Sequence, residues 1–105
     1  MEIKISVAKD FSETPGARYK SDGPFSGEQF YEEILSVKFK EALESGVILE
    51  IDLDGTDGYA TSFLDEAFRR LGEDFGQESS WKNIKLISND EPDWIDEIKS
   101  YIFNI

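Results

Sequence analysis

The stretch Ile51 to Phe75, IDLDGTDGYATSFLDEAFRRLGEDF, constrains this chain most, because hydrophobic period 2 gives way within it to period 3.6. Just before and into it, Val47, Leu49, Ile51 and Leu53 alternate with Ile48, Glu50 and Asp52. That pattern predicts a strand with one buried face and a second face that turns polar toward its end. Farther on, at about 100° per residue, Phe63, Leu64, Ala67, Phe68, Leu71 and Phe75 fall within an arc of roughly 140°. Asp65, Glu66, Arg69, Arg70 and Glu73 lie outside that arc, so the stretch reads as strand, acidic loop, and a helix laid on a sheet. Ser62 followed by Asp65 resembles a capping box with Asp in place of Glu, which predicts Ser62 as the N-cap with its hydroxyl facing the loop.

A helix on a sheet needs a core, and 105 residues with 39% hydrophobic content supply one core but not two. A single domain over residues 1–105 is expected. The chain has no Cys and no His, which excludes thiol nucleophiles, disulfides, histidine bases and the common zinc sites. No cofactor and no metal is expected. With 11 basic against 23 acidic residues, the net charge of -12 makes phosphate backbones and anionic lipid unfavourable partners, so neither nucleic acid nor membrane is expected. The N-terminal MEIKISVAKDF is too charged for a signal peptide, which points to the cytoplasm. From Glu50 to Glu66 there are six acids, Glu50, Asp52, Asp54, Asp57, Asp65 and Glu66, and no Lys or Arg. The simplest reading of them is a solvated edge that keeps a small domain soluble, and a rival reading of the whole chain is an inert acidic module of a larger assembly.

Ile3, Ile5 and Val7 alternate with Glu2, Lys4 and Ser6, predicting a first strand. Residues 10–27, DFSETPGARYKSDGPFSG, hold two Pro and three Gly and read as a long loop with a possible short strand at Ala17 to Lys20. Such a loop in a small domain is more often functional than idle. Arg18 is the one Arg outside the second helix, and it is expected to fold this loop over Asp52, Asp54 and Asp57. Ser26 with Gln29 is a capping-box signal that opens a helix from about Gly27 to Glu44. Its wide apolar arc, which includes Val37 and Leu43, predicts either enclosure on more than one side, the reading preferred, or a later half that also meets a partner. Residues 77–83 read as a polar connection, 83–88 as a third strand, and Asp90-Glu91-Pro92 as the start of a last helix. That helix carries Trp94, Ile95, Ile98, Tyr101, Ile102 and Ile105 on one face. The order β, loop, α, β, α, β, α predicts an α/β domain with a mostly parallel or mixed sheet. Because each strand alternates, the helices should lie largely on one face, with the other partly open.

Two chemical motifs compete for the acidic loop. The run IDLDGT resembles the first motif of haloacid-dehalogenase-type phosphatases, which implies Asp52 as nucleophile and Asp54 as general acid/base with magnesium. The chain lacks the lysine and the later carboxylates that complete such a site. Read as an EF-hand loop starting at Asp52, the stretch has Asp57 where Gly is needed and Phe63 where Glu is needed.

Two longer stretches, TPGARYKSDGPFSGEQFYEEIL and IDLDGTDGYATSFLDEAF, resemble the bacterial STAS-like domain family DUF4325, whose function is undefined. The resemblance runs from about Phe11 to Leu71 and implies the fold of STAS domains, which include anti-sigma-factor antagonists. In the antagonists a Ser at the start of the helix after the central strand is phosphorylated by an ATPase-like kinase. By position that resemblance places the phosphoacceptor at Ser62, with Thr61 beside it; the usual Asp-Ser-Ser-Gly is here Ala60-Thr61-Ser62-Phe63. It implies a non-enzymatic protein-binding module in signalling. The implied partner is a histidine-kinase-like ATPase. The candidate contact residues are Arg18, Asp52, Asp54, Asp57, Phe63, Asp65 and Glu66, of which Phe63, Asp65 and Glu66, with Ser62, correspond to the family's SFxxE-type element.

Overall fold

A computed structural model describes residues 2–105. Three short strands, β1 (Ile3–Ser6), β2 (Leu49–Asp52) and β3 (Ile84–Ile87), form one parallel sheet in the order β1-β2-β3. The registers are continuous across the sheet, with Ile3 opposite Leu49 and Leu49 opposite Ile84. Ile5, Ile51 and Leu86 make the next inward row, while Lys4, Glu50 and Lys85 make a row on the other face. The helices are α1 (Gly27–Phe30), α2 (Ser36–Ser45), α3 (Thr61–Phe75), α4 (Gln77–Lys82) and α5 (Asp93–Phe103). They cover the inward rows, and the Lys4-Glu50-Lys85 face is left to solvent, as the alternation predicts. The core under the helices is aromatic and aliphatic: Phe30, Phe39, Phe63 and Phe68 are fully buried, together with Ile5, Ile51, Leu64 and Leu71.

Several predicted elements differ in detail. The first strand stops at Ser6, and Val7–Phe11 forms a π turn instead of extending it. Asp10 accepts the Ser6 N–H at 2.7 Å, which draws that edge group away from any further strand. The helix expected from Gly27 to Glu44 is present, but Tyr31–Leu35 within it is a π turn between α1 and α2. Val37 is 53% exposed and Leu43 is exposed too, so the enclosure predicted for this helix does not occur. Residues 77–83 were expected as a connection; α4 forms there, anchored by the Ser80 hydroxyl donating to the Leu71 carbonyl at 3.0 Å. Ile105 lies beyond the end of α5 and is exposed, so it does not join that helix's buried face. No helix among the described residues is long and apolar enough to cross a membrane.

Candidate functional site at the carboxyl edge of the sheet

Because the strands are parallel, the segments leaving β1, β2 and β3 emerge at one edge of the sheet. Hydrogen bonds tie them together there. Asp54 is the main tie: its carboxylate accepts from the Asn89 and Asp90 backbone N–H groups, both at 2.8 Å, and from Asn89 Nδ2 at 2.9 Å. The Asp90 backbone bond is the largest of the effects that hold the Asp54 carboxyl below the usual carboxylate range. Asp52 Oδ1 accepts the Asp54 N–H at 2.9 Å, a local turn at the end of β2. The Asp57 N–H donates to the Glu13 carbonyl at 2.9 Å, joining the β1 and β2 loops. Tyr59 donates its hydroxyl to the Leu53 carbonyl at 2.8 Å and meets Trp94 edge-on at 4.7 Å. Burial pushes the Tyr59 phenol up, so it stays a donor throughout the ordinary pH range.

Residues 12–26 form a strap beside this edge. The Ala17 and Arg18 carbonyls accept from the Gly27 and Glu28 N–H groups, each at 2.9 Å, satisfying donors that the first turn of α1 cannot pair within the helix. Ser26 caps α1 as predicted, accepting the Gln29 N–H at 3.0 Å. The Gln29 side chain reaches one residue farther than a capping box does and accepts from the Phe25 N–H at 3.1 Å. Side chains then latch the strap to α3 and the neighbouring helix. Arg18 donates to Asp65 at 2.6 Å and stands 3.7 Å from Glu66. Lys20 pairs with Glu32 at 2.6 Å. This corrects the placement expected for Arg18: its ion pairs are with the first turns of α3, not with Asp52, Asp54 or Asp57.

Glu66 is the hub of the latch. It is only 4% exposed, yet it is within 4 Å of three guanidiniums, Arg18, Arg69 at 3.1 Å and Arg70 at 3.5 Å. Arg70 also reaches Glu32 at 3.3 Å and stacks on the Tyr31 ring at 4.7 Å. Tyr31 sits in the π turn and donates its hydroxyl to Asp74 at 2.6 Å. A buried charge is tolerated only when paired in this way. Exposed ion pairs contribute little, so Glu66 matters more to the latch than its outer partners do.

The predicted site residues therefore divide. Arg18, Asp65 and Glu66 come together, but Glu66 is buried and acts inside the latch instead of at a surface. Phe63 is fully buried against Phe30 at 5.7 Å, so it is removed from the contact surface and belongs to the core. Asp52 and Asp54 are taken up in holding loops, and Asp57 is exposed. The capping box expected at Ser62 does not form. The helix starts two residues earlier, with Ala60 in the cap position and no side-chain cap, so Thr61 and Ser62 occupy its first two positions. Thr61 is exposed and Ser62 half-buried. Among the described residues no group of three or more carboxylates is arranged to hold a metal ion. Phe25 and the π turn were missed by sequence reasoning, because neither has a signature in local periodicity.

A small parallel sheet with helices on one face, and with its loops and the start of the central helix gathered at the carboxyl edge, defines an α/β domain of the STAS-like class. The family model described as "STAS-like domain of unknown function (DUF4325)" matches residues 26–94, more than half of the chain, and the chain belongs to that family. The match starts at Ser26, so the strap up to Phe25 precedes it, and it continues past Leu71 to Trp94. No curated protein and no solved structure matches the chain.

Proposed function

We propose that this STAS-like domain is a non-enzymatic module that binds another protein through the strap and the start of α3, with charge on Ser62, or on the adjacent Thr61, controlling the contact. The observation that supports it most is the latch: Arg18 bonds to Asp65 and fixes the strap next to the uncapped end of α3 that carries both hydroxyls. A phosphate there would face free backbone N–H groups and the positive end of the helix dipole. It would also add about -1.5 to -2 charges one turn from Asp65, in competition for Arg18. The acids of the DLDGT run favour binding over phosphatase chemistry. Asp54 is held ionised by three donors, the opposite of what a proton donor needs. The family resemblance makes a histidine-kinase-like ATPase the partner to try first.

The test begins with the protein that co-purifies with the tagged chain from its native host, then expressed separately. Ser62→Asp is expected to keep the thermal midpoint near wild type and to weaken binding about tenfold or more. Ser62→Ala should bind and melt like wild type, since Ser62 is not the cap. If Ser62→Asp and Thr61→Asp both bind like wild type, the charge switch is wrong. If purified protein turned over a phosphate ester with magnesium and Asp52→Asn abolished it, the non-enzymatic reading itself would fall.

A further inference from the structure

The strap can leave the body of the domain without stranding a charge. Each acid that latches it has a second cation, on α3: Asp65 keeps Arg69 at 3.5 Å, Glu66 keeps Arg69 at 3.1 Å and Arg70 at 3.5 Å, and Glu32 keeps Arg70 at 3.3 Å. Breaking a buried pair is costly because a bare charge stays behind, and here none does. Arg18 and Lys20 themselves pass into water, which solvates both. The apolar cost is small as well. None of residues 13–25 is buried, whereas Ser12 and Ser26, at the two ends of the strap, both are. Phe25 meets Phe11 edge-on at 5.6 Å but stays exposed, and its φ of 57° is a left-handed conformation that disfavours a bulky side chain. Strain of this kind lasts only while the surroundings overdetermine it, and parting from them releases it.

The strap is also one piece. The Gly16 N–H donates to the Phe25 carbonyl at 2.7 Å and clamps the two limbs together, so closely that a Cβ at Gly16 would collide with the Pro24 carbonyl. At the tip, the Asp22 and Gly23 N–H groups donate to the Tyr19 and Lys20 carbonyls at 2.9 and 3.3 Å. Toward the body the strap offers acceptors: the Glu13, Ala17 and Arg18 carbonyls take the Asp57, Gly27 and Glu28 N–H groups, each at 2.9 Å. We propose that the strap opens as a single unit, hinged at Ser12 and Ser26, while the sheet and α3 stay folded. Closed, it holds Arg18 against Asp65; open, it leaves Asp65 with Arg69 and turns the Gly27 and Glu28 N–H groups to water. The opening does not rest on the binding reading, but under that reading a partner at the start of α3 meets two different surfaces.

Amide hydrogen exchange of the full chain, followed by NMR in urea well below the unfolding midpoint, tests this. The Asp57, Gly27 and Glu28 amides report the strap, because their acceptors lie in it. The Leu49 and Leu53 amides, which donate to the Asn83 and Ile87 carbonyls at 2.9 and 2.8 Å, report the sheet. Corrected for intrinsic rates, the three strap-held amides should exchange about 100-fold or more faster than the sheet pair. Urea should barely change their rates, while the sheet pair quickens with it. Arg18→Gln should quicken all three by one common factor, about three to ten. Ile51→Val, a core change, should quicken the sheet pair and leave the three within about twofold of wild type. Strap-held amides that follow the sheet pair in urea or in Ile51→Val would mean that the strap opens only when the whole domain unfolds. Responses to Arg18→Gln more than about threefold apart would mean piecemeal fraying, and a response under about twofold at all three would mean that Arg18 is no latch. Any of these overturns the hinged strap and leaves the binding reading untouched.

Discussion

Gly27→Ala should destabilise the protein, although helix propensity alone argues the reverse. Gly27 opens α1 where that helix crosses the start of α3. A Cβ built there lies 2.5 Å from the Phe63 carbonyl oxygen, 3.1 Å from Phe63 Cα and 3.2 Å from Glu66 Cβ. Ordinary contact needs about 3.5 Å, so the methyl is about 1 Å too close to backbone that cannot rotate away. The two helix ends must therefore separate. Overpacking of this kind costs about 1–3 kcal/mol, whereas Gly→Ala at ordinary helical φ gains about 0.5–1 kcal/mol. The net expectation is a loss of about 1–2 kcal/mol, read from urea unfolding midpoints at unchanged slope. Since Asp65 and Glu66 lie on the displaced turn, amide exchange in residues 13–25 should also quicken as the Arg18 latch loosens. A Gly27→Ala variant as stable as wild type, with strap exchange unchanged, would refute the close approach of the two helix ends and the latch geometry built on it.

Glu66→Gln leaves three guanidiniums around a neutral amide; because each keeps another acid and is over a quarter exposed, the loss should be about 2 kcal/mol, below the usual range for breaking a buried pair. An unchanged urea midpoint would show that the arginines do not depend on it. Asp54 and Glu32 both have pKa values lowered in the folded state, by the Asp90 N–H and by Lys20 respectively, so their contribution is present at neutral pH and is lost as pH falls through those lowered values. Asp54→Asn should accordingly flatten the acid limb of a stability-versus-pH curve below about pH 4, and an unaltered limb counts against the loop-tying role of Asp54. At position 25, Gly should be more stable than Ala by about 1 kcal/mol, the reverse of the ordinary order, because only Ala is strained at φ 57°. Equal thermal midpoints for Phe25→Gly and Phe25→Ala would mean the strain is absent.

What the sequence determined by itself was whatever each segment decides alone. Alternation at Ile3–Ile5, Leu49–Ile51 and Ile84–Leu86 marked the strands and the open face, since burial of one side of a strand writes period 2 into it. The stripe Phe63, Leu64, Ala67, Phe68, Leu71 marked α3, and Ser26 marked the start of α1, because a cap bonds within three residues. The same local logic failed by two positions at Ser62, where neighbouring Thr61 and Ser62 are equally acceptable in a first turn and the incoming backbone sets the cap at Ala60. Tertiary structure decided the site. Arg18 meets Asp65 across 47 positions and Asp54 meets Asn89 across 35, and no local energy ranks those acids above the others. Nor does any local pattern require a π turn at Tyr31–Leu35 or a left-handed Phe25. Such features persist only because packing and hydrogen bonds from distant segments overdetermine them, so they become readable only once strand order and helix approach are fixed.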